Sequence, residues 1–221
     1  SKDEHGQWIE PFDPLRHGAN GGNPFTEGNA WQYYWYVPHN IARLVELTGG
    51  NKAFEKKLDD FFATEAELEY KNDNVSGCIG QYAHGNEPGH HTIYLYTMLG
   101  ENQKAADLIY QVLDQFYTSK PDGLAGNEDA GQMSAWYIMT SLGFYQVEPA
   151  SGRYWFGTPT LNEASITVAG GTFTVKANNL SAENRYIKSV KLNGKDYNQM
   201  YIMHSDIVGG GELVFEMGPA K

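Results

Sequence analysis

Three short runs bring carboxylates, amides and aromatic rings together in patterns that could serve one reaction centre. The first is Glu27-Gly28-Asn29-Ala30-Trp31-Gln32-Tyr33. Trp31 and Tyr33 offer flat apolar faces with polar tips, which suits the C–H face and hydroxyl rim of a sugar ring. Glu27 beside such rings has the chemistry of a proton donor, and Asn29 and Gln32 add hydrogen-bonding amides. The competing structural reading is that Glu27 caps a helix and the rings are core.

The second run is Tyr82-Ala83-His84-Gly85-Asn86-Glu87-Pro88-Gly89-His90-His91. Its histidines suggest a metal, but their spacing matches no zinc pattern. Asn86 and Glu87, side by side in a Gly/Pro loop, are oxygen ligands that favour calcium. His84, His90 and His91 are candidates for hydrogen bonds to sugar hydroxyls. A helix entry with Pro88 at its start and incidental histidines is the plainer alternative.

The third run places Asn127-Glu128-Asp129 among glycines just ahead of Gln132-Met133-Ser134-Ala135-Trp136. A helix dipole favours one carboxylate at its N-terminus. Two acids and an amide exceed what a single cap needs, so they are candidates to hold a cation, activate a water, or both. Paired carboxylates with stacking rings describe a glycosidase site: one acid protonates the leaving oxygen and the other activates water.

The elements that position these runs are legible in outline. Ile41, Leu44 and Val45 before Gly49-Gly50 predict a helix with a glycine stop, and Phe54, Leu58 and Phe61 predict another. Ala105, Leu108, Ile109, Val112, Leu113 and Phe116 form the cleanest helical stripe, and Ala135, Ile138, Met139 and Leu142 a further one before Gly143. Helical period runs to about residue 145. The stretch 1–25, with its run HGANGGNP, and the stretches 72–90 and 118–132 read as loops. After Pro149 short β-rich runs appear, with Phe173 and Val175 alternating against Thr172, Thr174 and Lys176. The expected fold is α+β and multidomain: a helical segment over 1–148, then a β-sandwich segment over 149–221.

Totals exclude some functions. A net charge of -11 repels phosphate backbones, so no nucleic-acid partner is expected. The one cysteine, Cys78, permits no internal disulfide and no zinc site by itself. No apolar run reaches the length of a membrane span. The opening SKDEHGQWIEPFDP lacks a Met, shows no signal peptide and reads as the continuation of a longer protein, so it says little about location.

The blocks EGNAWQYYWYVPHN, HGNEPGHH and DGLAGNEDAGQMSAWYIMTSLGFYQVEPASG resemble glycoside hydrolase family 92, and the likeness runs from about residue 7 to the end. That resemblance implies an inverting, calcium-dependent exo-α-mannosidase, with α-1,2 linkages the commonest target. It implies that this chain is part of an (α/α)6 toroid and a β-sandwich, completed by an N-terminal domain. Glu27 lines up with the catalytic acid, Asp129 with the general base, and Asn86 and Glu87 with a calcium-binding pair. Asn127 stands where the family often has Asp, which removes one charge near the base. Some relatives carry Gln at the position of Glu27 and act on mannosyl phosphate, so Glu27 implies ordinary mannosides. Asn29, Trp31, Gln32, Tyr33, His84, His90, His91, Glu128 and Gln132 are the expected substrate contacts. A mannose-containing oligosaccharide or N-glycan is the implied partner, and a bacterial periplasm, cell surface or secreted location the implied setting.

Three rival readings remain. One is an inactive fragment lacking its N-terminal domain. Another is a different helical-toroid glycosidase or a phosphorylase, although the three runs contain no Lys or Arg for phosphate. The last is a sugar-binding module.

Overall fold

Apolar stripes and glycine stops account for the longer helices. A computed structural model describes residues 2–17, 25–65 and 75–220. Residues 18–24 of the Gly/Asn-rich run and residues 72–74 of the second expected loop lie outside the described residues. In chain order the helices are α1 (Ala30–Tyr33), α2 (Ile41–Thr48), α3 (Asn51–Ala63), α4 (Leu95–Leu99), α5 (Asn102–Phe116), α6 (Gln132–Ser141) and α7 (His204–Val208). Helix α2 stops where Gly49 and Gly50 take left-handed φ of 108° and 92°, and the Gly50 N–H returns to the Val45 carbonyl at 2.9 Å.

The chain divides into two units. The first comprises Ser1–Val37, Ala42–His90 and Gln115–Met133. Its core is aromatic: the Trp35 ring lies 5.3 Å from Phe54 and 5.4 Å from Phe61, and all three are buried. A two-residue hairpin, β1 (Cys78–Ile79) with β2 (Tyr82–Ala83), turns at Gly80-Gln81. Gly80 has φ 56°, and a Cβ there would overlap the Phe62 carbonyl, so glycine is what lets this hairpin lie against the end of α3.

The second unit comprises Pro38–Ile41, His91–Asp114 and Ser134–Lys221. It holds β3 (Phe144–Gln146), β4 (Arg153–Phe156), β5 (Glu163–Val168), β6 (Gly171–Asn178), β7 (Tyr186–Leu192), β8 (Lys195–Asp196), β9 (Tyr201–Met203) and β10 (Gly211–Gly218). One sheet has the order β5-β6-β10-β7-β8 and the other β3-β4-β9. Period-2 alternation buries Phe173, Val175 and Ala177 on β6 and Leu213, Phe215 and Met217 on β10. Phe156 and Phe215 meet edge to face at 5.1 Å within one core that both sheets share. Each buried Phe side chain contributes roughly 1.5–3 kcal/mol of burial free energy.

Two expectations are corrected. The helical period to residue 145 is broken by β1, β2 and β3, which are two or three residues each and too short to print a period. The expected stripe on α6 is half right: Met139 and Leu142 pack into the core, whereas Ala135 and Ile138 are exposed and Met133, Trp136 and Thr140 are buried instead. Polar and apolar residues are mixed round α6, so its sequence marks no single stripe.

Candidate active site

Within the first unit the three runs come together. The first is tied down by its own amides. Asn29 caps α1: its Oδ1 accepts the Gln32 N–H, and Gln32 Oε1 accepts the Asn29 N–H, each at 3.0 Å. Asn29 Nδ2 then donates to Gln81 Oε1 at 2.8 Å, and Gln32 Nε2 to the Gln81 carbonyl at 3.1 Å. Gln81 Nε2 continues to the Thr64 carbonyl. Asn29 and Gln81 are fully buried, so the Asn29 amide fastens the loop to the hairpin in place of the sugar contact expected for it. The rings of Tyr33 and Trp31 lie outside this amide network. Tyr33 is 42% exposed and donates its hydroxyl to the Thr26 carbonyl. Trp31 lies under the Lys57 ammonium, 4.8 Å from its ring centre.

Glu27 itself sits in the left-handed region, with φ 54°. Its carbonyl accepts Asn86 Nδ2 at 2.8 Å, and the buried His17 ring lies near it. Burial lowers the His17 pKa more than the Glu27 carbonyl and charge raise it.

The second run meets the third at two glycines. A Cβ on Gly85 would strike Ser76 Oγ and Gly126, and one on Gly126 would strike the Gly85 carbonyl. Behind this contact His84 is fully buried. Tyr117 donates its hydroxyl to the Met133 carbonyl at 3.0 Å, so its oxygen accepts His84 Nε2–H at 2.7 Å. His84 Nδ1 in turn accepts the Tyr82 hydroxyl at 2.7 Å. Burial first, and His90 second, hold the His84 pKa well below the ordinary value. A neutral, fully buried ring in this chain organises the loop, and the sugar contact expected for His84 is not available to it. His90 stacks on it at 4.7 Å, donates Nε2–H to the His84 carbonyl at 2.8 Å, and faces Gln132 Nε2 at 3.4 Å. His91 belongs to the second unit and is buried there.

In the third run Asp129 opens a short 3-10 turn, Asp129–Gly131, that leads into α6. Glu128 before it and Ala130 after it have φ of 67° and 58°. Of the five left-handed non-glycine residues among those described, Glu27, Glu128 and Ala130 lie in these runs, and Asn179 and Asn193 lie elsewhere. Such backbone costs of order 1–3 kcal/mol per residue and gathers where function demands a fixed aim.

Glu87 joins the carboxylates. Burial pushes its carboxyl pKa up against the pull of its own backbone N–H, and the hydrogen-bonded Asp129 and the charge of Glu27 push it further. Its Oε1 is buried and has no hydrogen-bond partner among the described residues. A buried carboxylate oxygen without a donor, next in sequence to the Asn86 amide and within reach of the charges of Asp129 and Glu27, is chemistry that fits a hard cation such as calcium. No preformed cage of three His, Cys, Asp or Glu residues stands among the described residues, so waters and substrate would complete such a shell.

The family model described as the glycosyl hydrolase family 92 catalytic domain matches residues 1–219. The chain belongs to glycosyl hydrolase family 92. Among solved members it resembles a family 92 α-mannosidase of Bacteroides thetaiotaomicron in complex with mannoimidazole. The two are 37% identical with a TM-score of 0.89, over 98% of this chain and 29% of that one. It also resembles a family 92 inverting mannosidase of the same organism, at 35% identity and TM-score 0.82, over 100% of this chain and 31% of that one. A curated relative in Arthroderma benhamiae, described as an uncharacterized secreted glycosidase, is 29% identical over 196 residues, which is 87% of this chain and 23% of the relative. The chain therefore spans less than a third of the length of these relatives.

Sequence reasoning missed His17, buried near Glu27, and Gln81 and Tyr117, which hold these runs in place. His17 stands ten residues before Glu27, and the other two act through contacts with distant loops, so no local motif marks them. Among the described residues no helix is long and apolar enough to cross a membrane.

Proposed function

We propose that this chain carries the acid–base machinery of an inverting α-mannosidase, with Glu27 as general acid and Asp129 as general base. The observation that carries the reading is that the loops of Glu27 and Asp129 both meet the loop of Asn86 and Glu87: Asn86 Nδ2 donates to the Glu27 carbonyl at 2.8 Å, and Gly126 packs against Gly85. The two roles need carboxyls converging on one substrate bond. The relatives named as α-mannosidases support the substrate class. Terminal α-linked mannose on an oligosaccharide or N-glycan is the substrate proposed, with α-1,2 the first linkage to try.

In this reading the Glu27 carboxyl gives its proton to the glycosidic oxygen as the bond breaks. Asp129 accepts a proton from the attacking water, and Asn127 and Glu128 border the water's approach. Tyr33 and Trp31 shape the sugar's apolar wall, and Gln132 and His90 supply polar edges. Calcium held by Glu87 and the Asn86 amide oxygen would bind sugar hydroxyls and favour the flattened ring of the transition state. The proposed wider frame is part of an (α/α)6 toroid with a β-sandwich, closed by an N-terminal domain, in a protein exported from the cell. A second reading, that the chain alone is an inactive portion, rests on the small share of the relatives that it covers.

Proton NMR of α-1,2-mannobiose, with and without EDTA, tests this. The expected first product is β-mannose, and EDTA stops its release. The longer protein carrying this chain is run in parallel. Activity there alone supports the second reading, α-mannose as first product overturns inversion, and silence in both overturns the mannobiose activity.

A further inference from the structure

The loop that carries Asn127-Glu128-Asp129 is held at both ends by one tyrosine. At its start the Tyr117 backbone pairs with Leu124 in an antiparallel bridge. Beside that bridge Thr118 N–H reaches the Gly123 carbonyl at 2.8 Å and Ala125 N–H the Phe116 carbonyl at 3.3 Å. At the loop's end the Tyr117 hydroxyl donates to the carbonyl of Met133, in the first turn of α6, at 3.0 Å. Between these two points Glu128 and Ala130 flank Asp129 with φ of 67° and 58°. Left-handed L-residues persist only where the surroundings over-determine them. The turn's own bonds, from Gly131 and Gln132 N–H to the Glu128 carbonyl at 2.8 Å, fix its shape but not its place. The same hydroxyl also reaches the second run. Its oxygen accepts His84 Nε2–H at 2.7 Å, and His84 is fully buried two residues before Asn86. Losing that acceptor would leave a buried imidazole N–H unsatisfied, which makes the bond costly to break.

We propose that Tyr117 is a positioning residue: its hydroxyl braces the Asp129 loop against the Asn86-Glu87 loop and so fixes the base relative to the proposed cation and the sugar it holds. The proposal rests on the acid–base reading given above. An inverting displacement needs the base, the water and the anomeric carbon held in line, and a small displacement of one of them costs rate more than binding. A single hydroxyl suits this task. It is donor to one loop and acceptor from the other, so neither loop can shift without breaking a bond at the same oxygen.

Tyr117→Phe keeps the ring, which meets His84 edge-on at 5.4 Å, and removes the hydroxyl. Replacing Tyr117 with para-aminophenylalanine keeps an N–H donor at the same place. Both variants are made in the longer protein carrying this chain, in wild-type and Asp129→Asn backgrounds. Rates are read on 2,4-dinitrophenyl α-mannoside, whose leaving group needs no proton and whose reactivity keeps the Asp129→Asn rate measurable. In Tyr117→Phe, kcat should fall on the order of 10-fold or more while KM changes by less than about threefold. In the Asp129→Asn background the same substitution should cost less than about twofold, since a residue that acts through Asp129 has nothing left to align. The para-amino variant should recover most of the loss. Equal falls in the two backgrounds overturn the brace, and so does an unchanged kcat in Tyr117→Phe. The second readout is amide hydrogen exchange. Gly131 and Gln132 should exchange on the order of fivefold faster in Tyr117→Phe, while the Asn29 amide, held by Gln32 Oε1, keeps its rate to within about twofold. Exchange that is unchanged at Gly131 and Gln132, or that quickens alike at all three, overturns the brace as well. If wild type does not cleave the mannoside, the acid–base reading fails, while exchange at Gly131 and Gln132 still decides whether Tyr117 holds the loop.

Discussion

Gly126 packs against Gly85 so closely that a methyl on Gly126 would overlap the Gly85 backbone. This contact joins the loop of Asn86 and Glu87 to the loop of Asp129. Gly126 also has φ 79°, so alanine there meets both strain and collision. Gly100 has φ 89° but open space around its Cβ direction. Gly100→Ala should therefore cost only the left-handed penalty, about 1–2 kcal/mol. Gly126→Ala should cost about 3 kcal/mol or more. Urea unfolding of the two variants measures the difference, and equal costs would show that the loops can part cheaply.

Cation binding should register as stability. Glu87 carries a buried Oε1 with no hydrogen-bond partner among the described residues, near Asp129 and Glu27, and a bound cation neutralises that repulsion. Calcium at 100 times its dissociation constant should add about 2.7 kcal/mol, read as a rise in Tm over the EDTA-treated protein. In Glu87→Gln the rise should largely vanish, and magnesium, which demands a stricter octahedron, should substitute poorly. An undiminished calcium shift in that variant would remove Glu87 from the binding site.

Acid should weaken the first unit through its histidines. Burial holds the pKa of both His84 and His17 below the ordinary value near 6.5. Their contribution is thus full above that value. It is lost as pH falls through the window beneath it, because the unfolded chain takes up protons that the folded rings refuse. The Tm should fall between pH 7.5 and 5, and more gently in His84→Gln. A Tm that is flat over that range, or as steep in His84→Gln as in wild type, would contradict the neutral Tyr82–His84–Tyr117 chain of hydrogen bonds.

The proposed acid and base should separate by leaving group. Glu27→Gln is expected to lose about 10²–10⁴-fold on mannobiose and much less on 2,4-dinitrophenyl α-mannoside. Asp129→Asn should lose on both, since both need an activated water. Steady-state kinetics of the two variants on the two substrates check this, and a reversed pattern would exchange the two roles.

What could be read without coordinates was local. Helix α5 announces itself by a 3.6-residue stripe and β6 by strict alternation, because period is a property of neighbouring residues. The three runs were legible for the same reason: Glu27, Asn86-Glu87 and Asn127-Glu128-Asp129 each sit in a short window of distinctive composition, and the order of the windows marks the family. Three features were not legible, because each depends on a partner far along the chain or on a backbone angle that residue type does not reveal. Asn29 looked like a sugar contact, yet it caps α1 and binds Gln81, 52 residues away. His84 looked like a ligand, yet two tyrosines enclose it. Glu27, Glu128 and Ala130 carry no mark of left-handed backbone in their identity, since glycine is the residue that ordinarily signals it. The parallel pairing of β6 with β10 and the inward face of α6 belong to the same class. Sequence by itself determined the longer helices and strands and which residues are chemically able to act. Only the tertiary structure decided which of them are spent on holding the others in place, because hydrogen bonds and burial are allotted by distance in space.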